Sequence, residues 1–247
     1  MTLFLTSSIG ASIRDENGER LPCALDSSNS FVDNLKQRWP AQPNCLIISS
    51  DPDNAQMNDF FKDIYNEAFK LTGLPLSSIE VCDRRNENEI SGLLRSNSIV
   101  ILAGGHVPTE NSFFMRIRLN ELIKDYKGIV IGISAGTMNC ADIVYAQPEL
   151  EGEALDPEYK RYIPGLGLIK INVFPHFQDL RELTLDGLRI LEDISFTDSY
   201  TRPIYALNDG SYILSENGTE VLYGEAYLIS KGSIRQICEN GKSLVLQ

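Results

Sequence analysis

Residues 128–139 read Gly-Ile-Val-Ile-Gly-Ile-Ser-Ala-Gly-Thr-Met-Asn, and no other stretch so narrows the folds open to this chain. A short run of apolar, mostly β-branched residues predicts a buried strand. The Gly-x-Ser-x-Gly that follows, Gly132 to Gly136, is the sequence form of a nucleophile elbow, a sharp strand-to-helix turn carrying a serine. A side chain in place of either glycine would clash with the neighbouring strand or helix. On such a turn the Ser134 hydroxyl stands exposed above a sheet. The Ala135 amide then lies at a helix N-terminus, where it can stabilise an oxyanion. An ordinary strand–turn–helix junction with a serine N-cap fits the same residues, so the motif needs its context.

That context is an alternation of strands and helices. Apolar runs at 3–6, 45–48, 79–82, 99–103 and 129–133 predict buried strands. Between the second and third, Met57, Phe60, Phe61, Ile64, Ala68 and Leu71 recur at helical spacing before Gly73, which predicts an amphipathic helix with a C-terminal glycine. A shorter helix is expected over 86–95 and a longer one over 111–126. Another is expected over 179–194, where Asp179 and Glu182 stand in capping-box spacing. Short runs after residue 204, punctuated by Asp209-Gly210 and Asn217-Gly218, predict a closing β-meander. Together these describe an α/β fold: a doubly wound, mostly parallel sheet with a C-terminal β-meander, in one domain over 1–247, with ligands at the carboxyl ends of its strands. The polar segment 10–40 is an insertion without a predicted place.

Composition narrows the partners. A net charge of −12 argues against nucleic acid or an anionic membrane. Five cysteines without paired spacing fit reduced thiols and a cytoplasmic setting better than a disulfide framework or a zinc site. The N-terminus reads as a first strand rather than a signal peptide. No apolar stretch approaches the roughly 20 residues that span a bilayer.

A serine nucleophile needs a base, and the chain has only two histidines. His106 follows Ala103-Gly104-Gly105, and His176 follows the apolar run ending at Phe174-Pro175; both are expected at strand ends on the same edge as Ser134. His176 is the favoured base. The Gly104-Gly105 pair lets backbone approach a ligand, making the Gly105 amide a second oxyanion donor and His106 a substrate-binding side chain. A third group should orient the histidine. Glu149, Glu151, Glu153, Asp156 and Glu158 lie between serine and histidine, Asp142 just after the turn, and Asp179 close to the base; spacing does not choose among them.

The Gly-Gly after a strand, the Gly-x-Ser-Ala-Gly turn some thirty residues on, and Pro175-His176-Phe177 about forty residues beyond it resemble the peptidase E (aspartyl dipeptidase) family of serine peptidases. That family is related to cyanophycinase and has a class I glutamine amidotransferase-like, flavodoxin-like fold. The resemblance implies Ser134 as nucleophile, His176 as base, Glu149 as the acidic member, and Gly105 and Ala135 as oxyanion donors. It implies a short peptide as partner, one with an N-terminal aspartate for the family's aspartyl dipeptidases, and neither metal nor organic cofactor. Family dipeptidases carry an arginine after the histidine; Arg181 is the nearest here, in a shorter segment, and His106 stands where asparagine is more usual. A homodimer is compatible with this reading. An α/β-hydrolase-like esterase and a non-catalytic binder of small metabolites share parts of the pattern and stay open at this point.

Overall fold

The structure, a computed structural model, describes residues 1–246. The chain opens with β1 (Thr2–Thr6), a small hairpin of β2 (Ser12–Arg14) and β3 (Arg20–Pro22), and α1 (Phe31–Lys36). Strand and helix then alternate: β4 (Asn44–Ile48), α2 (Ala55–Leu71), β5 (Ser78–Cys82), α3 (Ile90–Ser96), β6 (Ile99–Leu102) and α4 (Val107–Arg116). After α5 (Leu119–Leu122) come β7 (Ile129–Ile133) and α6 (Ala135–Asn139). Next are β8 (Ile143–Tyr145), β9 (Tyr162–Pro164), β10 (Asn172–Phe174), α7 (Phe177–Leu180), β11 (Thr184–Leu185), β12 (Leu188–Arg189) and α8 (Phe196–Asp198). The remaining strands are β13 (Ile204–Leu207), β14 (Tyr212–Glu216), β15 (Thr219–Tyr223), β16 (Ala226–Ser230), β17 (Ser233–Cys238) and β18 (Ser243–Val245).

The five expected strands form the parallel half of the main sheet, in the order β1-β7-β6-β4-β5, and β14, β15 and β18 extend it antiparallel beyond β1. Successive side chains of a strand point to opposite faces. Leu3, Leu5, Leu46 and Val100 therefore pack on one side against Leu93 and Leu94 of α3 and Phe113 and Phe114 of α4. Phe4, Cys45, Ile47 and Ile101 pack on the other against Phe31 and Leu35 of α1 and Ala68 and Phe69 of α2. Helices on both faces explain why these strands read as unbroken apolar runs. The sheet is mixed and mostly parallel, an α/β architecture. Helix α2 has the ends its sequence predicts: Asn54 accepts from the Met57 amide at 3.2 Å, and Gly73 follows with φ 76°.

Three expectations are corrected. The helix expected over 111–126 is broken, because Arg118 adopts a left-handed φ of 55° between α4 and α5, and the turn sends Leu119 and Ile123 into the same core as Phe113 and Phe114. The helix expected over 179–194 is instead α7, the β11–β12 hairpin and a helical turn over 190–195. Asp186 and Gly187, with φ of 54° and 82°, form its two-residue turn, so the leucines at 185 and 188 are paired strand residues rather than a helical stripe. His176 is the residue capping α7, which leaves Asp179 inside that helix and not its cap. The C-terminal strands are not a meander. They divide between the main sheet and a second sheet ordered β10-β13-β16-β17, because β13 pairs with β10 and β16 while β14 pairs with β1.

The second sheet carries His176. Phe174 and Phe177, on either side of it in sequence, are both fully buried among Tyr145, Ile190 and Ile204. Burial of a phenylalanine contributes about 1.5–3 kcal/mol, so the segment is held from both ends.

Candidate active site

Ser134 sits between β7 and α6 with φ 51° and ψ −113°, outside the regions that L-residues normally occupy. The turn is as tight as the sequence required. A Cβ on Gly136 would lie 2.2 Å from the Leu102 carbonyl oxygen, and one on Gly132 would lie 2.8 Å from Thr137 Cα.

His176 reaches Ser134 from the second sheet, with Nε2 3.0 Å from the serine Oγ. Its other nitrogen, Nδ1, lies 2.8 Å from Asp209 Oδ1. A carboxylate can only accept, so Nδ1 carries the proton and Nε2 is free to accept from the serine hydroxyl. Ser7 ties the arrangement together: its buried hydroxyl donates to Asp209 Oδ1 at 2.7 Å and accepts from the His176 backbone amide at 2.7 Å. The Asp209 amide in turn donates to Gln178 Oε1 at 2.9 Å. Burial favours the neutral ring of His176, but the hydrogen bond and charge of Asp209, with smaller contributions from the charges of Asp179 and Glu149, outweigh it and hold the pKa above the usual histidine value. Burial raises the Asp209 carboxyl; His176, Ser7 and Gln178 together bring it below its ordinary range.

Two hollows meet at Ser134 and His176. The larger, of about 460 Å³, is built by the carboxyl ends of β4 and β6, by α2 and by the β2–β3 hairpin. Gly105 and Arg20 line it. The smaller, of about 220 Å³, lies against Pro148, Glu149 and the leucines of the 180–185 segment. The Gly105 amide makes no hydrogen bond to the described residues, and Ala135 is the first residue of α6, where an amide has no partner within the helix.

Several predicted residues stand elsewhere than expected. The place against His176 Nδ1 expected for Glu149 is taken by Asp209; Glu149 instead lines the smaller hollow, where burial and the neighbouring Glu153 raise its pKa to about 7 despite the opposing effect of His176. His106 lines neither hollow. Its ring is held between Thr109 Oγ1 at 2.8 Å and Glu153 Oε1 at 2.9 Å. Arg181 is turned away as well, paired with Glu182 at 3.3 Å and lying over the Phe177 ring. Asp142 pairs with Arg202. Cys140 is buried and donates to the Gly136 carbonyl, as a packed thiol.

Ser7, Gln178, Asp209 and Arg20 escaped the sequence reading. Asp209 had a signal, the Asp-Gly pair after a strand, but that pair reads first as a turn. Among the described residues no group of histidine, cysteine and carboxylate side chains is placed to hold a metal ion. No helix is long and apolar enough to cross a membrane.

A strained serine between strand and helix, hydrogen-bonded to a histidine that is hydrogen-bonded to a carboxylate, is the arrangement of serine hydrolases. The chain belongs to peptidase family S51, which its sequence matches over residues 43–222, and it is a serine peptidase of that family. Its fold is similar to that of a "Putative Peptidase E Protein" from Listeria monocytogenes EGD-e, with a TM-score of 0.57 and 17% identity over 96% of this chain and 98% of that one. A similarity to the Argonaute protein from Methanocaldcoccus janaschii has a TM-score of only 0.22, with 12% identity over 92% of this chain and 48% of that one, and carries no argument. No curated protein matches the sequence.

Proposed function

We propose that this peptidase hydrolyses short peptides through Ser134, His176 and Asp209, with Ser134 on a nucleophile elbow. The carrying observation is the continuous relay from the Ser134 hydroxyl through both nitrogens of His176 to Asp209, at 3.0 and 2.8 Å. Ser134 Oγ attacks the scissile carbonyl carbon while its proton passes to His176 Nε2. The oxyanion so formed accepts from the Gly105 amide, on the larger hollow, and from the Ala135 amide at the start of α6, both unengaged. His176 returns the proton to the leaving amine, and a water activated by the same ring releases the acyl group. Asp209 fixes the tautomer and stabilises the imidazolium, the role that the family resemblance implies for Glu149.

The small volume of both hollows supports short substrates over extended chains. Aspartyl preference loses its expected basis, since Arg181 and His106 lie outside the hollows. A fluorophosphonate probe tests the assignment, with Ser134 expected as the labelled residue. A dipeptide-library screen with Ser134→Ala as control should show hydrolysis by the wild type alone. Labelling at another residue, or equal hydrolysis by the variant, would overturn it.

A further inference from the structure

Two side chains of opposite charge face the hollows that meet at Ser134: Arg20 in the larger pairs with no carboxylate, and Glu149 in the smaller makes no ion pair. We propose that the site reads both charged ends of an unblocked peptide: Arg20 holds the C-terminal carboxylate, Glu149 holds the α-ammonium, and the scissile bond lies between them at Ser134. This rests on the peptidase reading above and adds to it the substrate's polarity and the residues that measure its length.

Arg20 comes from β3, in the insertion that the sequence left without a place. Elsewhere the arginines of this acidic protein are mostly spent on carboxylates: Arg38, Arg84, Arg85, Arg116 and Arg202 all lie in ion pairs. Among the described residues Arg20 has no carboxylate within ion-pair distance, although Asp51 lines the same hollow from the end of β4. Its guanidinium lies 5.2 Å over the Phe61 ring of α2, and Nη1 is 3.4 Å from Ser12 Oγ. A guanidinium stacked on one face keeps the N–H groups along its edge free, the geometry that accepts a carboxylate with two parallel hydrogen bonds. Stacking also fixes the side chain beforehand, which reduces the entropy lost on binding.

Glu149 is held with equal care, but by its backbone. Its amide donates to Glu153 Oε2 at 2.8 Å, and Glu153 Oε1 is anchored to His106 Nε2 at 2.9 Å. Asp186, in the β11–β12 turn, accepts from the Gly152 and Ala154 amides and pins the far side of the same loop. The Glu149 carboxylate itself makes no hydrogen bond to the described residues and faces a hollow lined by Leu180, Leu183, Leu185 and Ile190 on one part and by Gln147, Ser134 and His176 on another. Glu149 is exposed as a residue, which leaves its unpaired carboxylate within reach of a cation arriving from solution. Desolvation and the nearby Glu153 raise its pKa, and an ammonium brought against it favours the charged form. His106 thus becomes a positioning residue, acting through Glu153 and never touching substrate.

The test compares Ala-Leu, N-acetyl-Ala-Leu, Ala-Leu amide and Asp-Leu amide as substrates of the wild type, Arg20→Ala, Arg20→Lys and Glu149→Gln, with fluorophosphonate labelling of Ser134 measured on every protein. Wild type should prefer Ala-Leu over either blocked form by tenfold or more in kcat/KM. Arg20→Ala should lose at least tenfold on Ala-Leu, mainly through KM, and change little on Ala-Leu amide; Arg20→Lys should recover part of the loss. Glu149→Gln should lose on Ala-Leu through KM, with kcat kept, and not on the acetylated peptide. Equal rates on free and blocked peptides by an enzyme that labels at Ser134 would overturn the charge assignment and leave the peptidase reading intact. A loss in Arg20→Ala confined to Asp-Leu amide would overturn it too, by showing that Arg20 reads a side chain. Absent labelling with no hydrolysis of any peptide would instead remove the reading beneath it.

Discussion

His176 and Asp209 are 33 residues apart in sequence and 2.8 Å apart in space, brought together by the parallel pairing of β10 with β13. Each stands just past the end of its strand, so the register that matches Phe174 to Ala206 also delivers histidine and aspartate to one edge. Ser7, at the end of β1, bonds to both and joins the second sheet to the first.

Asp209→Asn is therefore expected to lower kcat by on the order of 10³–10⁴-fold with little change in KM, because an amide no longer holds the tautomer or stabilises the imidazolium. Glu149→Gln should keep kcat within a few-fold. Steady-state kinetics on one good dipeptide separates the two, and a collapse of kcat in Glu149→Gln would return the orienting role to that residue.

Ser134→Ala and His176→Ala should each remove nearly all activity, and the double variant should be hardly worse than either single one, since both act in one step. Multiplying losses in the double-mutant cycle would mean that the two residues serve different steps.

The pH profile follows from the sign of the His176 shift. The base works as the neutral ring, and Asp209 raises its pKa above the ordinary value of about 6.5. The acid limb of kcat/KM should accordingly lie above pH 6.5, with activity rising as pH increases through it. Removing the aspartate charge favours the neutral ring, so Asp209→Asn should shift that limb to lower pH while depressing the plateau. A limb unmoved by the substitution would contradict the pairing. Glu149 gives a separate signature in stability. Its folded pKa, about 7, exceeds the unfolded value of about 4.3, so its ionised form penalises the fold increasingly as pH rises through that window. Glu149→Gln should raise Tm relative to wild type at pH 8 and much less at pH 5.

What the sequence disclosed follows from how local each signal is. The parallel strands announced themselves because both faces are buried, and Ser134 because its turn forces glycine at fixed offsets. Asp209 was hidden because its partner is chosen by β10–β13 pairing, which no spacing along the chain records. The leucines at 183, 185, 188 and 191 suit a helical period and a hairpin alike, and only the left-handed pair Asp186-Gly187 decides between them. Arg20 lay in a polar segment whose hairpin has too few residues to show an alternating pattern.

The last prediction separates the role of the turn from that of the oxyanion site by two glycine substitutions. A Cβ at position 136 would stand 2.2 Å from the Leu102 backbone oxygen and 2.7 Å from that of Ala103, where nothing flexible can give way. Gly136→Ala should therefore destabilise the protein by about 1–3 kcal/mol or more, as overpacking does, and lose activity with the fold. A Cβ at position 105 would stand 2.6 Å from Ser50 Oγ and 2.7 Å from Ser50 Cβ, so rotating the hydroxyl away, at the cost of its 2.7 Å hydrogen bond to the Gly104 carbonyl, is not enough and the loop backbone must shift as well. Losing that bond costs about 0.5–1.5 kcal/mol, and because Gly105 is exposed and its loop can move, Gly105→Ala should remain folded. Its amide would be displaced from the line to the carbonyl above Ser134, and removal of one oxyanion donor typically lowers kcat by about 10²–10³-fold. Thermal denaturation alongside kcat for the two variants reads the difference directly. Gly105→Ala with wild-type kcat would take the oxyanion role away from that amide, and Gly136→Ala with wild-type stability would mean that the turn is not fixed by the contact with Leu102.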